Sequence, residues 1–131
     1  MQIFVLDTDP RVAAAAHMDV HVISQIRETV QMLCTVAYLR GARKEELRER
    51  VHASTHIHHP CVLWLNNSYE NIGWTIMLLD ALHAQYVERY EKPEGFEHQS
   101  YRKLKLHAGW IQRYLDNVQH RGITPKEWVL H

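Results

Sequence analysis

The fold of this chain is decided by residues 21–40, which read HVISQIRETVQMLCTVAYLR. Apolar side chains recur there at spacings of three and four, at Val22, Ile26, Val30, Leu33 and Ala37. This spacing puts them on one side of an α-helix, so the stretch predicts a long amphipathic helix with one buried face. Asp9 and Pro10 suit the cap and the first position of a helix that runs to about Arg40, and Gly41 suits its terminator.

Further helices follow from the same periodicity and from local start and stop signals. They are predicted at residues 44–52, 60–65, 68–90 and 98–120. Asn67 and Glu70 fit a capping box, and Thr124 opens a last helix. The chain is therefore predicted to be all-α: one domain, residues 1–131, folded as an irregular bundle of about five helices. Residues 2–6 are expected to form a short extended N-terminal arm.

Length and composition exclude several classes of protein. A chain of 131 residues is large enough for one hydrophobic core. Its 15 Lys and Arg residues balance 15 Asp and Glu residues, which excludes the strongly basic surface of a protein that coats DNA. Cys34 and Cys61 do not make a disulfide framework, which indicates a reducing compartment. No apolar run reaches the ~20 residues of a membrane helix, so a cytoplasmic protein without membrane contact is predicted.

Histidine is concentrated in two places along the chain. Of 11 histidines, His17 and His21 form one group, and His56, His58 and His59 form another. Histidine acts as an acid, a base or a metal ligand because its charge changes near neutral pH. Three interpretations stay open: hydrogen-bonded structural histidines, metal-free acid–base or phosphate-contacting histidines, and metal ligands. No CxxC or HExxH pattern supports zinc, and no metal site is assigned.

The first histidine group supplies the candidate catalytic residues. His17 and His21 are four residues apart and would share a face of the predicted helix. Asp19 lies about 200° from His17 around that helix, so it cannot join both imidazoles on one metal. Glu28 is a candidate general base if its face meets the second histidine group, and a solvated glutamate otherwise. The candidate catalytic set is His17, Asp19, His21 and Glu28.

The second histidine group leads into residues typical of nucleotide recognition. Pro60 fixes the backbone at a helix start, where phosphate binds readily, and His59 precedes it. Aromatic rings stack on bases and amides read base edges, so His59, Trp64 and Asn71 are candidate ligand-binding residues. The alternative for Trp64 is an ordinary core position.

A third region combines basic and aromatic side chains. It includes Arg89, Tyr90, Lys92, Tyr101, Arg102, Lys103 and Lys105, with His98 and His107 nearby. Such a stretch can hold a phosphate backbone, and the candidate contacts are Arg89, Tyr101, Arg102 and Lys103. A solvated helix face is the alternative interpretation.

Several of these motifs together resemble a family of small uncharacterised proteins of tailed phages. The motifs are LDxDP at residues 6–10, AAxxHxDxHV at 13–22 and THxxHPCxxW at 55–64, with Ser68, Asn71 and the pair Arg89-Tyr90. The resemblance spans roughly residues 1–105 and implies a protein of the cytoplasm of an infected bacterial host. Met18 and Val20 stand where the family pattern has Cys and Lys.

The chain is also similar, less closely, to the pyrimidine-dimer DNA glycosylases. The shared features are an N-terminal arm, a long helix from Pro10, a central His59-Pro60 and a helix that ends at Arg89-Tyr90. This resemblance implies a small all-helical fold and cleavage of an N-glycosidic bond by an N-terminal amine, assisted by a helix glutamate. Gln2 would block removal of Met1, so the matching amine would belong to Met1 or be missing. Glu28 is the nearest match to the glutamate.

Together the patterns predict a phage-type protein that binds or acts on DNA or a nucleotide, with glycosylase-like cleavage as the first reaction to test. The predicted pocket lies between the first long helix and residues 59–71. Two alternatives remain. One is a non-catalytic accessory protein, a homodimer, that binds a host protein or sequesters a small nucleotide; the other is a metalloprotein that uses the histidine groups. No glycine-rich phosphate loop is present, and no cofactor is predicted.

Overall fold

The computed structural model describes residues 9–117, and all regular structure in that range is α-helical. The helices are α1 (Pro10–Ala15), α2 (Asp19–Leu39), α3 (Lys44–Arg50), α4 (Pro60–Asn66), α5 (Tyr69–Arg89), α6 (Gln99–Leu106) and α7 (Ala108–Leu115). The predicted all-α fold is confirmed within this range. The predicted arm at residues 2–6 and the helix at Thr124 lie outside the described residues.

Local signals place several helix ends where the sequence predicts them. Asp9 caps α1 by accepting a hydrogen bond from a first-turn amide at 2.9 Å. Gly41 follows α2 with a φ of 113°, a left-handed backbone conformation that favours glycine. The amide of Ala42 donates to the carbonyl of Ala37 at 2.9 Å, which satisfies one of the last carbonyls of α2.

The prediction of one helix from Pro10 to Arg40 is wrong, because the chain turns a corner between α1 and α2. The guanidinium of Arg89, on α5, donates to the carbonyl oxygens of Ala15 and His17 at 2.8 and 2.6 Å. In a continuous helix these oxygens would accept amides from four residues later. His17 therefore lies in the corner and does not share a helix with His21.

The start of α5 also differs from prediction. Ser68 caps this helix by accepting a hydrogen bond from the amide of Asn71 at 3.0 Å. Asn67 instead ends α4 in a helical conformation. The capping box predicted for Asn67 and Glu70 is therefore wrong, because the extended backbone that a cap requires falls one residue later.

The predicted helix over residues 98–120 is divided into α6 and α7. The break falls at His107, whose amide bonds to the carbonyls three and four residues earlier. Gly109 follows in the first turn of α7, and its missing side chain lowers helix propensity there. About five helices are predicted, whereas residues 9–117 form seven. The difference comes from this break and from the corner after α1, each of which divides one predicted helix into two.

Helices α2 and α5 run antiparallel through the centre of the bundle. Asp19, at the start of α2, pairs with Arg89, at the end of α5, at 3.0 Å. Arg40, just after α2, contacts Asn66, just before α5. Helix α1 packs on α5, while α4, α6 and α7 pack on α2. The shared core includes Ile26, Val30, Leu33, Val62, Leu78 and Leu82, all fully buried, and their removal from water is the main source of stability.

Candidate functional site

The first histidine group lies in the corner between α1 and α2. The side chain of His17 is buried, and its Nδ1 is 2.7 Å from the carbonyl oxygen of Ala13. Burial is the main cause that lowers the pKa of His17; the Ala13 hydrogen bond opposes it, and the charges of His21 and Arg89 add to it. A buried imidazole bonded to its own backbone favours the structural interpretation of His17.

Asp19 and Arg89 hold the same corner together. Arg89 donates to the Asp19 carboxylate at 3.0 Å and to Oε1 of Gln85 at 3.0 Å, besides the two carbonyls of the corner. Each guanidinium nitrogen of Arg89 is therefore bonded to protein, so the phosphate contact predicted for Arg89 requires the corner to open.

Glu28 lies about 10 Å further along α2 from His21 and accepts a hydrogen bond from Gln25 at 2.8 Å.

The predicted nucleotide-binding residues of the second group hold α4 against its neighbours. Nδ1 of His59 accepts a hydrogen bond from the amide of Cys61 at 3.1 Å and so caps α4. Trp64 packs edge-to-face on Trp74, with ring centroids 6.3 Å apart. The side-chain amide of Asn71 donates to the carbonyl of Trp64 at 2.7 Å. These contacts give all three residues a packing role.

The two histidine groups lie beside opposite ends of α2: His21 is near the start of this helix, and the segment that leads to His59 contacts it near its end. Thr35 donates to the carbonyl of Thr55 at 3.1 Å, at the start of the segment that leads to His59. Thr35 comes 14 residues after His21 on α2, which corresponds to about 21 Å along the helix axis. Among the described residues, no three His, Cys, Asp or Glu side chains gather in a way that could hold a metal ion.

A different site opens between α2, the chain that follows α3, and the start of α6. It is a cleft of about 670 Å³, which falls in the size range of small-molecule sites. Its polar lining includes Arg27, Gln31, His52, His98, Ser100 and Arg102. Arg27 and Gln31 are four residues apart on α2 and therefore project from one face of that helix.

The charge of this cleft is positive. Arg27 and Arg102 are both exposed and come from different helices. Lys103 lies close enough to His52 to affect its pKa. Glu97, an acidic residue of the lining, is paired with Lys105 at 3.1 Å. Because the whole chain has no formal net charge, this local excess of cations marks a place where anions concentrate.

Three histidines and a serine form a hydrogen-bonded run beside the cleft. Nε2 of His52 lies 2.8 Å from Oγ of Ser100. The amide of Ser100 donates to Nδ1 of His98 at 3.1 Å, and the amide of His98 donates to Nε2 of His83 at 2.9 Å. The nitrogens of His98 and His83 that accept these bonds carry no proton, so each neutral ring carries its proton on the other nitrogen.

The surroundings of these three histidines lower their pKa values and so favour the neutral rings. Burial lowers the pKa of His52, and the nearby charges of Lys103 and Arg27 lower it further, as does His98 when that ring is protonated. Burial also lowers the pKa of His98, with a smaller contribution from Arg27. Burial is the main cause that lowers the pKa of His83 as well. The rings therefore offer neutral hydrogen-bonding groups beside the two fixed arginine charges.

Aromatic rings form another wall of the cleft. Tyr86 and Phe96 meet edge-to-face with ring centroids 5.5 Å apart, and Tyr86 meets His98 in the same way at 5.9 Å. The ammonium group of Lys92 lies 5.3 Å from the Tyr86 ring and 5.0 Å from the Phe96 ring. An aromatic surface next to a cationic site can stack a nucleobase while the cations hold its phosphate.

The predicted basic region contributes to this cleft in part. Arg102 lines it, and Lys103 acts on His52 from nearby. Tyr101 instead stacks on His83, with ring centroids 4.1 Å apart, and its hydroxyl donates to Asp80 at 2.7 Å. Burial and the Asp80 carboxylate raise the pKa of Tyr101.

Sequence analysis missed Arg27, His52 and Ser100. Arg27 lies about 100° around α2 from the centre of its apolar face, and a cation there is usual on the exposed side of a helix, so its sequence gives no specific signal. His52 follows the charged helix α3, and Ser100 lies in the first turn of α6. Nothing in the sequence around either residue indicates that the two side chains meet.

No protein-family model, curated protein or solved structure matches this chain. The resemblances to tailed-phage proteins and to pyrimidine-dimer DNA glycosylases therefore stay predictions. None of the helices between residues 9 and 117 combines the length and the apolar character that a bilayer span requires. Function is accordingly inferred from the geometry and charge of the cleft.

Proposed function

We propose that the protein binds a nucleotide, with the phosphate held between Arg27 and Arg102. The observation that carries this proposal is the presence of two guanidinium groups, from separate helices, in the lining of one cleft. Guanidinium donates paired, charge-assisted hydrogen bonds that match the geometry of phosphate oxygens. Gln31 and His52 add neutral hydrogen-bonding groups alongside.

The proposal places the nucleobase against the aromatic wall, where it would displace the Lys92 ammonium from the rings of Tyr86 and Phe96. Tyr86 and Phe96 line the same cleft as the two arginines. Stacking of a base on an aromatic ring contributes about 1–3 kcal/mol and tolerates any base. The proposal therefore specifies a nucleoside phosphate as the ligand class, without a preference for one base.

A single nucleotide fits these observations better than a long nucleic acid. The formal net charge of the chain is zero, and the cleft of about 670 Å³ matches one small ligand. A long strand needs a continuous track of cations. Arg89, from the predicted phosphate-binding region, is bonded instead to the corner between α1 and α2.

Isothermal titration calorimetry with the deoxynucleoside 5′-monophosphates, one at a time, tests this proposal. We expect binding that weakens as the salt concentration rises. Thymidine, which lacks the phosphate, should bind at least ~10-fold more weakly than thymidine 5′-monophosphate (dTMP), because a hydrogen bond to a charged group contributes about 1.5–3 kcal/mol.

Two charge-matched double variants locate the binding site. Arg27→Gln/Arg102→Gln should lower the dTMP affinity by about tenfold or more. Arg43→Gln/Arg113→Gln removes the same charge from exposed arginines outside the cleft lining and should bind like the wild type. Equal losses in both variants would overturn the proposal. Binding of a thymidine decanucleotide without binding of any mononucleotide would also overturn it, in favour of a strand-binding site.

A further inference from the structure

Ser100, one of the residues that line the cleft, is buried, and its hydroxyl is in direct contact with an imidazole. Oγ of Ser100 lies 2.8 Å from Nε2 of His52, a separation that allows a base to take a proton from a nucleophile. The amide of Ser100 donates to Nδ1 of His98 at 3.1 Å, which fixes the backbone that carries the hydroxyl. Ser100 and His52 line the cleft together with Arg27 and Arg102.

The protonation state of His52 suits a general base. Burial, and then the charges of Lys103 and Arg27, lower the pKa of His52, which favours the neutral ring near neutral pH. A neutral imidazole whose Nε2 faces a hydroxyl can accept the hydroxyl proton during nucleophilic attack. The buried thiol of Cys34 is not a competing nucleophile, because burial raises its pKa to about 12.

We propose that Ser100 is a nucleophile, and His52 its general base, in the hydrolysis of a phosphodiester formed by a nucleoside monophosphate and an alcohol and bound in this cleft. This inference rests on the proposed function, because Arg27 and Arg102 would hold the oxygens of the reacting phosphate. Cations at those oxygens stabilise the charge that develops in the transition state. A phosphodiester carries one negative charge, so it repels an attacking oxygen less than a phosphomonoester dianion does.

The reaction proceeds in two balanced steps. First, Oγ of Ser100 bonds to phosphorus as the bond from phosphorus to the ester oxygen breaks. His52 takes the Oγ proton and passes it to the departing oxygen, which leaves as an alcohol. Water then attacks phosphorus, His52 takes a proton from the water, and the Oγ–phosphorus bond breaks as Ser100 recovers that proton. One water is consumed for each ester bond, and the products are a nucleoside monophosphate and an alcohol.

The ligand itself makes the base effective. Arg27 from α2 and Lys103 from α6 oppose protonation of His52, and so does His98, from the segment before α6, when it is itself protonated. The negative charge of a bound phosphodiester offsets these groups and favours the imidazolium that forms during attack. Proton transfer is therefore favoured when the nucleotide is in place.

Labelling with diisopropyl fluorophosphate tests the nucleophile in the wild-type protein. An activated serine oxygen displaces fluoride from this reagent and keeps the phosphoryl group, which tryptic mass spectrometry can locate. We expect the label on Ser100, and we expect saturating dTMP to prevent it. Ser100→Ala should abolish labelling, while Ser24→Ala, at an exposed serine on α2, should label like the wild type. A label on another serine, or no label, overturns the proposal.

Turnover of the p-nitrophenyl ester of dTMP tests the reaction. Release of p-nitrophenol should fall by about 100-fold or more in Ser100→Ala and in His52→Gln. Both variants should keep the circular dichroism spectrum of the wild type, and Ser100→Ala should still bind dTMP. Hydrolysis that does not depend on Ser100, in a protein that binds dTMP, overturns this inference and leaves the proposed function standing. Labelling of Ser100 without any nucleotide binding overturns the proposed function and the phosphodiester substrate.

Discussion

His52 and His98 place two titratable rings in a cleft that already contains Arg27 and Arg102. Burial is the main cause that lowers the pKa of both rings, which favours their neutral forms. A phosphate held between the arginines would favour the protonated ring of His52 and raise its pKa, whereas protonation of His98 would cost the hydrogen bond that its Nδ1 accepts from the Ser100 amide. A ligand that raises a pKa binds more tightly to the protonated protein, so the proposed nucleotide binding is expected to be accompanied by proton uptake.

We predict that the methyl ester of dTMP binds more tightly at about pH 5.5 than at about pH 7.5. The pKa of His52 is lower in the protein alone than in the complex. At a pH between these two values the complex holds a proton that the free protein lacks, so the affinity rises as the pH falls. A phosphodiester keeps a single charge over this range. Calorimetry in the Ser100→Ala background measures the effect without consuming the ester.

The double variant His52→Gln/His98→Asn is the control for this pH dependence. Asparagine can still cap α6 at position 98, where Nδ1 of His98 accepts the amide of Ser100. The variant should bind the ester with nearly the same affinity at both pH values. A flat profile in the parent protein, or an equal slope in the double variant, would show that other groups govern the pH dependence.

At the scale of elements, the corner between α1 and α2 shows why some boundaries could be predicted and others could not. Asp9 and Gly41 lie next to the helix ends that they set, so the local sequence indicates them. The corner at His17 contains neither proline nor glycine. It depends on Arg89, which is 72 residues away in sequence and donates to the His17 carbonyl. Tertiary contacts of this kind override helix propensity.

We predict that Arg89→Met loosens α1 without weakening the proposed nucleotide site. Loss of hydrogen bonds from a charged group, at about 1.5–3 kcal/mol each, should speed hydrogen exchange of the α1 amides by about tenfold or more. The dTMP affinity should match that of the wild type. Arg113→Met, at an exposed position on α7, serves as the control. Weaker dTMP binding with unchanged α1 exchange would instead support the phosphate contact predicted for Arg89 from the sequence.

At the scale of the whole molecule, the cleft is assembled from segments that are far apart in sequence. Arg102 and Lys103 could be predicted because basic and aromatic residues cluster around them. Arg27, His52 and Ser100 come from three segments, and only the packing of α6 on α2 brings them together. Periodicity therefore predicted the helices and their buried faces, while a site shared between helices required the tertiary arrangement.

The opposite end of the bundle from the corner is closed by Arg40, which is fully buried. Its Nε and Nη2 donate to the side chain and the carbonyl of Asn66 at 2.7 and 2.8 Å, and its Nη1 donates to the carbonyl of Leu115. In return, Asn117 donates to the Arg40 carbonyl at 3.1 Å. One charged side chain thus ties the ends of α2, α4 and α7, and protein oxygens replace the water that its charge would otherwise need.

We predict that Arg40→Met lowers the free energy of unfolding by about 3 kcal/mol or more, because the oxygens of Asn66 and Leu115 lose a charged donor inside the protein. Arg43→Met is the control, since the Arg43 side chain is 72% exposed and a surface change should stay within about 0.5 kcal/mol. Urea unfolding followed by circular dichroism measures both variants. If only stability changes, the slope of the free energy of unfolding against urea concentration should stay that of the wild type. Similar midpoints for the two variants would mean that Arg40 does not stabilise this end of the bundle, since its buried hydrogen bonds would then contribute no more than an exposed arginine does.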